Sequence, residues 1–351
     1  MQIFPIPQKV LNHIEALCRG FLLSGKSGST RKAPVAWDTV CRPTGAGGLN
    51  LISLKAWNLA TIGKLLWNLQ AKADKLWVRW LNAYYIKNNE VMAWQVKASC
   101  SWTVKKMMKC RDDIKDMQYW QDVLQGKQFK TKLLYIAIRG TMNKVEWRHM
   151  IMHNLARPRA IFLLWLVLHG KLSTKDRLLK FGISVNPTCE FCNNLESIHH
   201  LFFECSHVHM VWKGILEWMG VHRSPHGWNE ERVWIMSETH KKGWLCQLLK
   251  IACAETIYEV WKSRNEKIFS QKDIDRNLLG KIIDIIVARG IKNSKIRSHI
   301  DPFISLVAHH RPICIETKSL SISIERRVED YNSIDITSYV CYPGAQISEM
   351  L

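Results

Sequence analysis

Three cysteines and two histidines crowd one short stretch, Cys189-Glu-Phe-Cys192-Asn-Asn-Leu-Glu-Ser-Ile-His199-His200-Leu-Phe-Phe-Glu-Cys205. A Cys-x2-Cys turn aims two sulfurs at one point, and Zn2+ takes four nitrogen or sulfur ligands in a tetrahedron. The loop Asn193–Ile198 is long enough to bring a second pair of ligands back to the first. His200 and Cys205 stand five positions apart, about 140° on a straight helix, so both reach one ion only if the chain bends between them. The spacing points to a Cys3His set of Cys189, Cys192, His200 and Cys205, a closed structural zinc site with no position left for water. His199 is an alternative to His200, and His207 and His209 are near enough to substitute. Phe191, Leu201, Phe202 and Phe203 would pack an apolar shell around the ion. The plainest competing reading is three reduced cysteines and a chance histidine. A thiol–disulfide pair would want a strand before and a helix after Cys189–Cys192 in an α/β setting, and neither is present.

Two other clusters invite chemistry and do not hold it. Asp112, Asp113 and Asp116 resemble the neighbouring carboxylates of a two-metal site. They lack flanking apolar strands and sit among Lys105, Lys106, Lys109 and Arg111, so they read as a solvated face of a helix or turn. Gly45, Gly47 and Gly48 lack the Lys-Ser/Thr ending and the leading strand of a phosphate loop, and read as a structural turn.

The elements that must position the cysteines read as helices. Arg157-Pro158 opens one, Ala160–Leu168 is apolar throughout, and Gly170 ends it. Ser173 or Thr174 is placed to cap a second, Lys175–Phe181, which stops at Gly182. After the cluster, Val208, Val211, Trp212, Ile215 and Met219 make an amphipathic stripe closed by Gly220. Longer helices are expected over Trp244–Phe269 and Asp273–Ala288. Upstream, Lys9–Leu23 is a short helix candidate, and a loop of Gly, Ser and basic residues follows over Ser24–Lys32. Ser53 can cap a helix carrying Leu54, Trp57, Ile62, Leu65, Leu66 and Leu69, and Leu76, Trp77, Trp80, Leu81 and Tyr84 form the next stripe. Aromatic stripes at helical spacing are usually core, although Trp and Tyr among Lys and Arg can also stack on unpaired bases. The tail 301–351 alternates in places, as in SLSISIE, and could hold an edge strand.

The 351 residues carry a net charge of +20, unevenly spread. Residues 1–170 hold 26 basic and 9 acidic side chains, whereas residues 273–351 balance. A half at net +17 attracts polyanions such as RNA or DNA. No strongly basic amphipathic helix suggests a membrane surface. The longest apolar run, Ala160–Leu168, is far short of the ~20 residues of a spanning helix. The N-terminus does not read as a signal peptide. With eleven cysteines mostly scattered singly, the expectation is a soluble intracellular protein, nuclear or cytoplasmic. Lys105-Lys106 and Lys241-Lys242 are too short for a convincing import signal.

Taken together, Phe129 to Trp212 resembles the zinc-binding domain that follows the reverse transcriptase in plant LINE-type (non-LTR) retrotransposons. The resemblance is carried by Arg157-Pro-Arg-Ala-Ile-Phe-Leu-Leu-Trp165, His169-Gly-Lys-Leu-Ser-Thr-Lys-Asp-Arg-Leu178, Cys189-Glu-Phe-Cys192, His200-Leu-Phe-Phe-Glu-Cys205 and Val211-Trp212. It implies that the ligand histidine is His200 rather than His199. Ala36-Trp37-Asp38, Cys41-Arg-Pro43, Gly47-Gly48-Leu49 and Leu65-Leu66-Trp67 resemble the preceding connector, and Val260-Trp261-Lys-Ser-Arg264-Asn265 the stretch that follows. Thr44 and Ser173 depart from the family's usual lysine and proline. No Tyr-x-Asp-Asp polymerase motif occurs, and the carboxylates after residue 270 form no strand-borne cluster for a ribonuclease H site.

The expected architecture is mainly α. A basic helical connector covers 1–125, a zinc-stapled helical module 126–220, a helical extension 221–300 and an irregular tail 301–351. The expected function is that of a non-catalytic, zinc-binding and nucleic-acid-binding remnant of a retrotransposon polyprotein, the back end of a longer chain. Structural Zn2+ would fasten the loop. Arg157, Arg159, Lys171, Lys175, Arg177 and Lys180 would contact phosphate. A protein-docking module with a structural zinc, or a partial reverse transcriptase needing a separate catalytic domain as partner, are the competing readings.

Overall fold

The computed structural model describes residues 5–24, 34–87, 89–294 and 296–299. The tail 301–351 lies outside the described residues, as does most of the Ser24–Lys32 loop. The described residues are mainly helical, as expected, with 63% of them in helix. Among the described residues the only β pairing is an isolated antiparallel bridge, Thr188 to Leu195. No helix among them is long and apolar enough to cross a membrane. By contacts the chain forms two compact units, dividing at Lys144–Val145.

The first unit holds α1 (Gln8–Ser24), α2 (Trp37–Val40), α3 (Leu54–Gln70), α4 (Leu76–Leu81), α5 (Trp102–Ile114), α6 (Gln118–Leu124) and α7 (Thr131–Arg139). Ser53 caps α3 as its position predicts, its hydroxyl accepting the Ala56 amide at 3.4 Å. The apolar spacing of α3 then buries Ile62, Leu65, Leu66 and Leu69 against α5 and α7. Close approach of α3 and α7 depends on Gly63, where a Cβ would stand 2.3 Å from Leu134 Cδ2. Trp57 packs edge-on against Tyr135, and Trp67 stacks on Phe129, so these rings and Trp77 belong to the core, whereas Trp80 and Tyr84 of the stripe are exposed. Asp112 is exposed and its carboxylate pairs with the neighbouring Arg111, as befits a helix face rather than a metal site. The glycine-rich 45–48 stretch is a tight turn, with Gly48 pressed against the Arg42 backbone.

The second unit is built on one long helix. It contains α8 (Arg148–Ile151), α9 (Pro158–Leu168), α10 (Lys175–Lys180), α11 (Ser206–Trp218), α12 (Trp228–His240), α13 (Trp244–Ser270) and α14 (Leu278–Gly290). Every residue from Leu248 to Asn265 on α13 is buried, because α9, α11, α12 and α14 pack around it. That is the expected position of a helix with no polar face, yet α13 carries Lys250, Glu255, Glu259, Lys262 and Arg264 inside this stretch. The acids and Arg264 find charged partners on other segments, described below.

Helix limits follow local chemistry. Pro158 opens α9 at its first turn, and Gly170 and Gly220 take positive φ after α9 and α11. Two ends differ from expectation. The Thr174 hydroxyl does not cap α10 but bonds Asp176 Oδ1 at 2.6 Å, and the first free amide, of Lys175, goes to Glu196 Oε1 at 2.9 Å. α14 begins at Leu278 rather than Asp273, because Asp275 Oδ1 accepts the Asn277 amide at 2.9 Å and holds an Asx turn there.

Candidate metal centre

The cysteine cluster lies between α10 and α11 and is assembled from two local devices. The first is a knuckle over Pro187–Glu196. The Cys189 amide donates to Asn194 O at 2.6 Å, and the Glu196 amide donates to Pro187 O at 2.8 Å. Asn193 turns the chain at φ 62, a left-handed conformation that asparagine tolerates better than most residues. The Phe191 amide points at Cys189 Sγ at 3.5 Å.

The second device is a bend. From Ser197, whose hydroxyl accepts the His200 amide at 3.0 Å, the chain winds one turn and breaks at Phe202 (φ −103, ψ 108) and Phe203 (φ 79, ψ −21). This supplies the bend that the His200–Cys205 spacing requires. A positive φ at phenylalanine costs on the order of 1–2 kcal/mol. Burial offsets it, since Phe203 packs on Trp212 and Trp228 and is fully buried with Phe202. The Cys205 amide closes the bend on His200 O at 2.7 Å, and Cys205 becomes the N-cap of α11.

One ligand atom from each of Cys189, Cys192, His200 and Cys205 lies within 4.8 Å of the others. Cys189 Sγ and Cys205 Sγ are 4.0 Å apart, and Cys192 Sγ and His200 Nε2 are 3.0 Å apart. A zinc tetrahedron with its usual bond lengths has edges of about 3.5–3.8 Å, which these separations bracket. The donor set therefore fits zinc, with two thiols buried and the other two ligands half-buried. The other histidines stand apart. His199 is exposed, His207 stacks on Phe191 with centroids 5.3 Å apart, and His209 Nδ1 contacts Phe203 O at 3.2 Å. Among the described residues all nine cysteines are free thiols.

The two buried thiols are shifted in opposite directions. Hydrogen bonding to Cys205 and burial push the Cys189 thiol well above its ordinary range. The bond from Cys189, helped by the Val208 and His207 amides at the start of α11, holds Cys205 below it despite burial. A divalent cation takes the place of the thiol protons. Zinc uptake is thus expected to release protons and to weaken as the medium is acidified, because protons compete for sulfur and imidazole. Titrating a zinc-competing dye at stepped pH reads this directly; an affinity flat from pH 8 to about pH 5.5 would count against thiolate ligation.

Residues 129–212 match the protein family described as zinc-binding in reverse transcriptase. Over this segment the chain is similar to a reverse-transcriptase-type zinc-binding domain. The match spans α7, α8, α9, α10, the knuckle and about half of α11. A putative ribonuclease H protein of Arabidopsis thaliana is 33% identical over 85 residues, 24% of this chain and 14% of that protein. An uncharacterized 149 kDa protein of transposon TX1 from Xenopus laevis is 29% identical over 142 residues, 39% of this chain and 10% of that protein. The matches thus cover only a small part of either relative's length. No solved structure matches.

The six basic positions expected at phosphate divide into two groups. Arg157 and Lys175 are not offered to solvent, which corrects the expectation for both. Arg157 donates to Glu255 through its amide at 2.7 Å and its Nε at 2.8 Å, and reaches Glu259 Oε1 at 2.6 Å. Burial would lower its pKa, but Glu255 and Glu259 outweigh it and keep the guanidinium charged. Lys175 donates to Thr188 O and to Glu190 Oε1, fastening α10 to the knuckle. Lys171 and Lys180 are exposed, and Arg159 and Arg177 half-buried, with Arg177 over the Phe181 ring.

Glu196 is the structural residue that its sequence context does not mark. Fully buried, it takes Arg264 of α13 at 2.6 Å and 3.1 Å while capping α10. Glu231 on α12 plays a similar part, accepting from Trp212 Nε1, Arg223 and the His226 amide. Neither carries a motif; only burial reveals them.

Proposed function

We propose that this chain is a non-catalytic, nucleic-acid-binding piece of a plant non-LTR retrotransposon polyprotein, in which zinc holds the fold and basic side chains hold the nucleic acid. The four convergent ligand atoms of Cys189, Cys192, His200 and Cys205 carry the zinc part. All four positions of a tetrahedron are filled by protein, so the metal has no open site for substrate or water. The net +17 of residues 1–170, with exposed Lys171 and Lys180 beyond it, carries the nucleic-acid part. RNA is the natural template of such an element, and a reverse transcriptase catalytic domain is the partner that would perform chemistry.

The test is an RNA titration at several salt concentrations on the zinc-loaded chain. Affinity is expected to fall steeply, with log K linear in log salt. Replacing Arg159, Lys171 and Lys180 together by alanine should make the slope shallower by up to about 2, roughly 0.7 per lost contact to a single strand. Absence of binding at low salt, or a salt-independent affinity, would leave a protein-docking module as the better reading. Primer extension by the purified chain would overturn the non-catalytic assignment.

A further inference from the structure

We propose that the outward stripe Leu76–Trp80–Tyr84 is a stacking platform for the unpaired bases of a single-stranded polynucleotide. The inference rests on the nucleic-acid reading above and names a place for it in the first unit, away from the zinc ligands in sequence.

Three observations carry it. The segment after α3 splits its aromatic residues between two faces. Trp77 and Tyr85 pack on the buried core, whereas Trp80 and Tyr84 are 52% and 65% exposed and Leu76 is 86% exposed. Residues 76, 80 and 84 follow i, i+4, i+8 spacing, so they fall on one side of a helix. Single exposed apolar residues are ordinary; three in register, two of them large aromatics, leave a contiguous apolar strip in water.

The geometry of the strip suits flat ligands. The Trp80 and Tyr84 rings are parallel within 5° at 5.5 Å between centroids. Tyr85 braces both from the edge, at 5.5 Å from Trp80 and 4.8 Å from Tyr84. The α-helix gives way to a π turn over Asn82–Ile86, closed by the Lys87 amide on Asn82 O, and Lys87 follows at φ 55. Such turns are uncommon and recur at functional sites. The rings are thus held in a fixed orientation by neighbours rather than left to rotate, and a base can extend the stack.

Charge decides the occupant. Between residues 72 and 87 four exposed cations, Lys72, Lys75, Arg79 and Lys87, meet one acid, Asp74, which pairs with Arg79. A wholly apolar partner would gain nothing from this rim. A single strand presents both what the rings accept and what the cations attract, bases on one side and phosphates on the other. Duplex bases are already stacked and cannot reach the rings.

The experiment uses the full zinc-loaded chain and a fluorescent oligopyrimidine of about a dozen nucleotides, long enough for a stacking groove of usual size. RNA and DNA versions and a duplex of equal length are run in parallel. Trp80→Ala with Tyr84→Ala should weaken single-strand binding at least about tenfold and change duplex binding less than about twofold. Trp80→Phe with Tyr84→Phe should restore most of the loss, since a ring remains. A loss confined to RNA or to DNA still supports the platform and adds 2′-hydroxyl discrimination. Parent-like single-strand affinity in the alanine pair overturns the platform while leaving the nucleic-acid reading intact. Equal losses on single strand and duplex, or a dimer that the alanine pair dissociates without loss of single-strand binding, also overturn it. If the parent chain binds no polynucleotide at low salt, the nucleic-acid reading fails and the platform fails with it.

Discussion

Serine at both Cys189 and Cys205 is expected to abolish zinc binding and to lower the melting temperature of the second unit by roughly 8 °C or more. These two thiols are the buried half of the ligand set, 4.0 Å apart, and each belongs to a different local device. Cys189 opens the knuckle and Cys205 starts α11, so a metal between them ties two segments that backbone hydrogen bonds alone hold weakly. In small zinc domains the apparent metal contribution is on the order of 10–16 kcal/mol at neutral pH. Only part of that bears on this unit, because α9, α13 and α14 have a core of their own. Even about 4 kcal/mol corresponds to roughly 8–16 °C for a unit of this size. Elemental analysis and a thermal melt on the same preparation measure both effects. Cys100→Ser, outside the cluster, serves as the control and should retain zinc. Unchanged zinc content in the double variant would sink the metal assignment; lost zinc with an unchanged melt would reduce the metal to an ornament on a self-sufficient fold.

The ligand set was legible in sequence because metal geometry acts over short chain distances. Cys189, Cys192, His200 and Cys205 sit within seventeen consecutive residues, and their spacing implies a bend. Where the bend falls was not legible. Nothing about Phe202-Phe203 announces a positive φ; it is paid for by Trp212 and by Trp228, which lies 25 residues further on. Helices with apolar periods, such as α9 and α13, read within a residue or two at each end. α12 has no such signal. Its buried positions, Trp228, Glu231, Ile235 and Thr239, do follow helical spacing, but two of the four are polar. A search for apolar recurrence passes over a helix that buries a glutamate.

Charge misleads in the same way. Arg157 and Lys175 are indistinguishable in sequence from Lys171 and Lys180, because what separates them is a carboxylate elsewhere in the chain. Glu255 and Glu259 neutralise Arg157 from about a hundred residues away. Net charge counts side chains; it does not say which are already matched.

Arg264→Met should destabilise the second unit by about 3–5 kcal/mol, the usual cost of stranding a buried charge. The charge left behind is Glu196, which has no route to solvent where it stands. Arg264 itself is held by Glu196, by Asn265 Oδ1 at 2.9 Å and by the face of Trp261 at 4.7 Å, so the pair is well satisfied while intact. Replacing both partners, Glu196→Leu with Arg264→Met, should recover much of the loss, since two apolar side chains do not carry an unpaired charge. Recovery should be incomplete, because the Lys175 amide loses its acceptor and α10 its cap. Urea unfolding of the two single variants and the double variant gives the coupling energy as a double-mutant cycle. A single variant within about 1 kcal/mol of the parent would show that water reaches Glu196 and that the pair is not a true core contact. The consequence extends to the metal. Glu196 joins the knuckle to the central helix two residues from the loop's tip at Asn194, so Arg264→Met should also hasten zinc transfer to a chelator even though it touches no ligand. A destabilised unit with unchanged zinc release would mean that the knuckle closes on its metal independently of α13, and that the long helix supports the domain without anchoring its site.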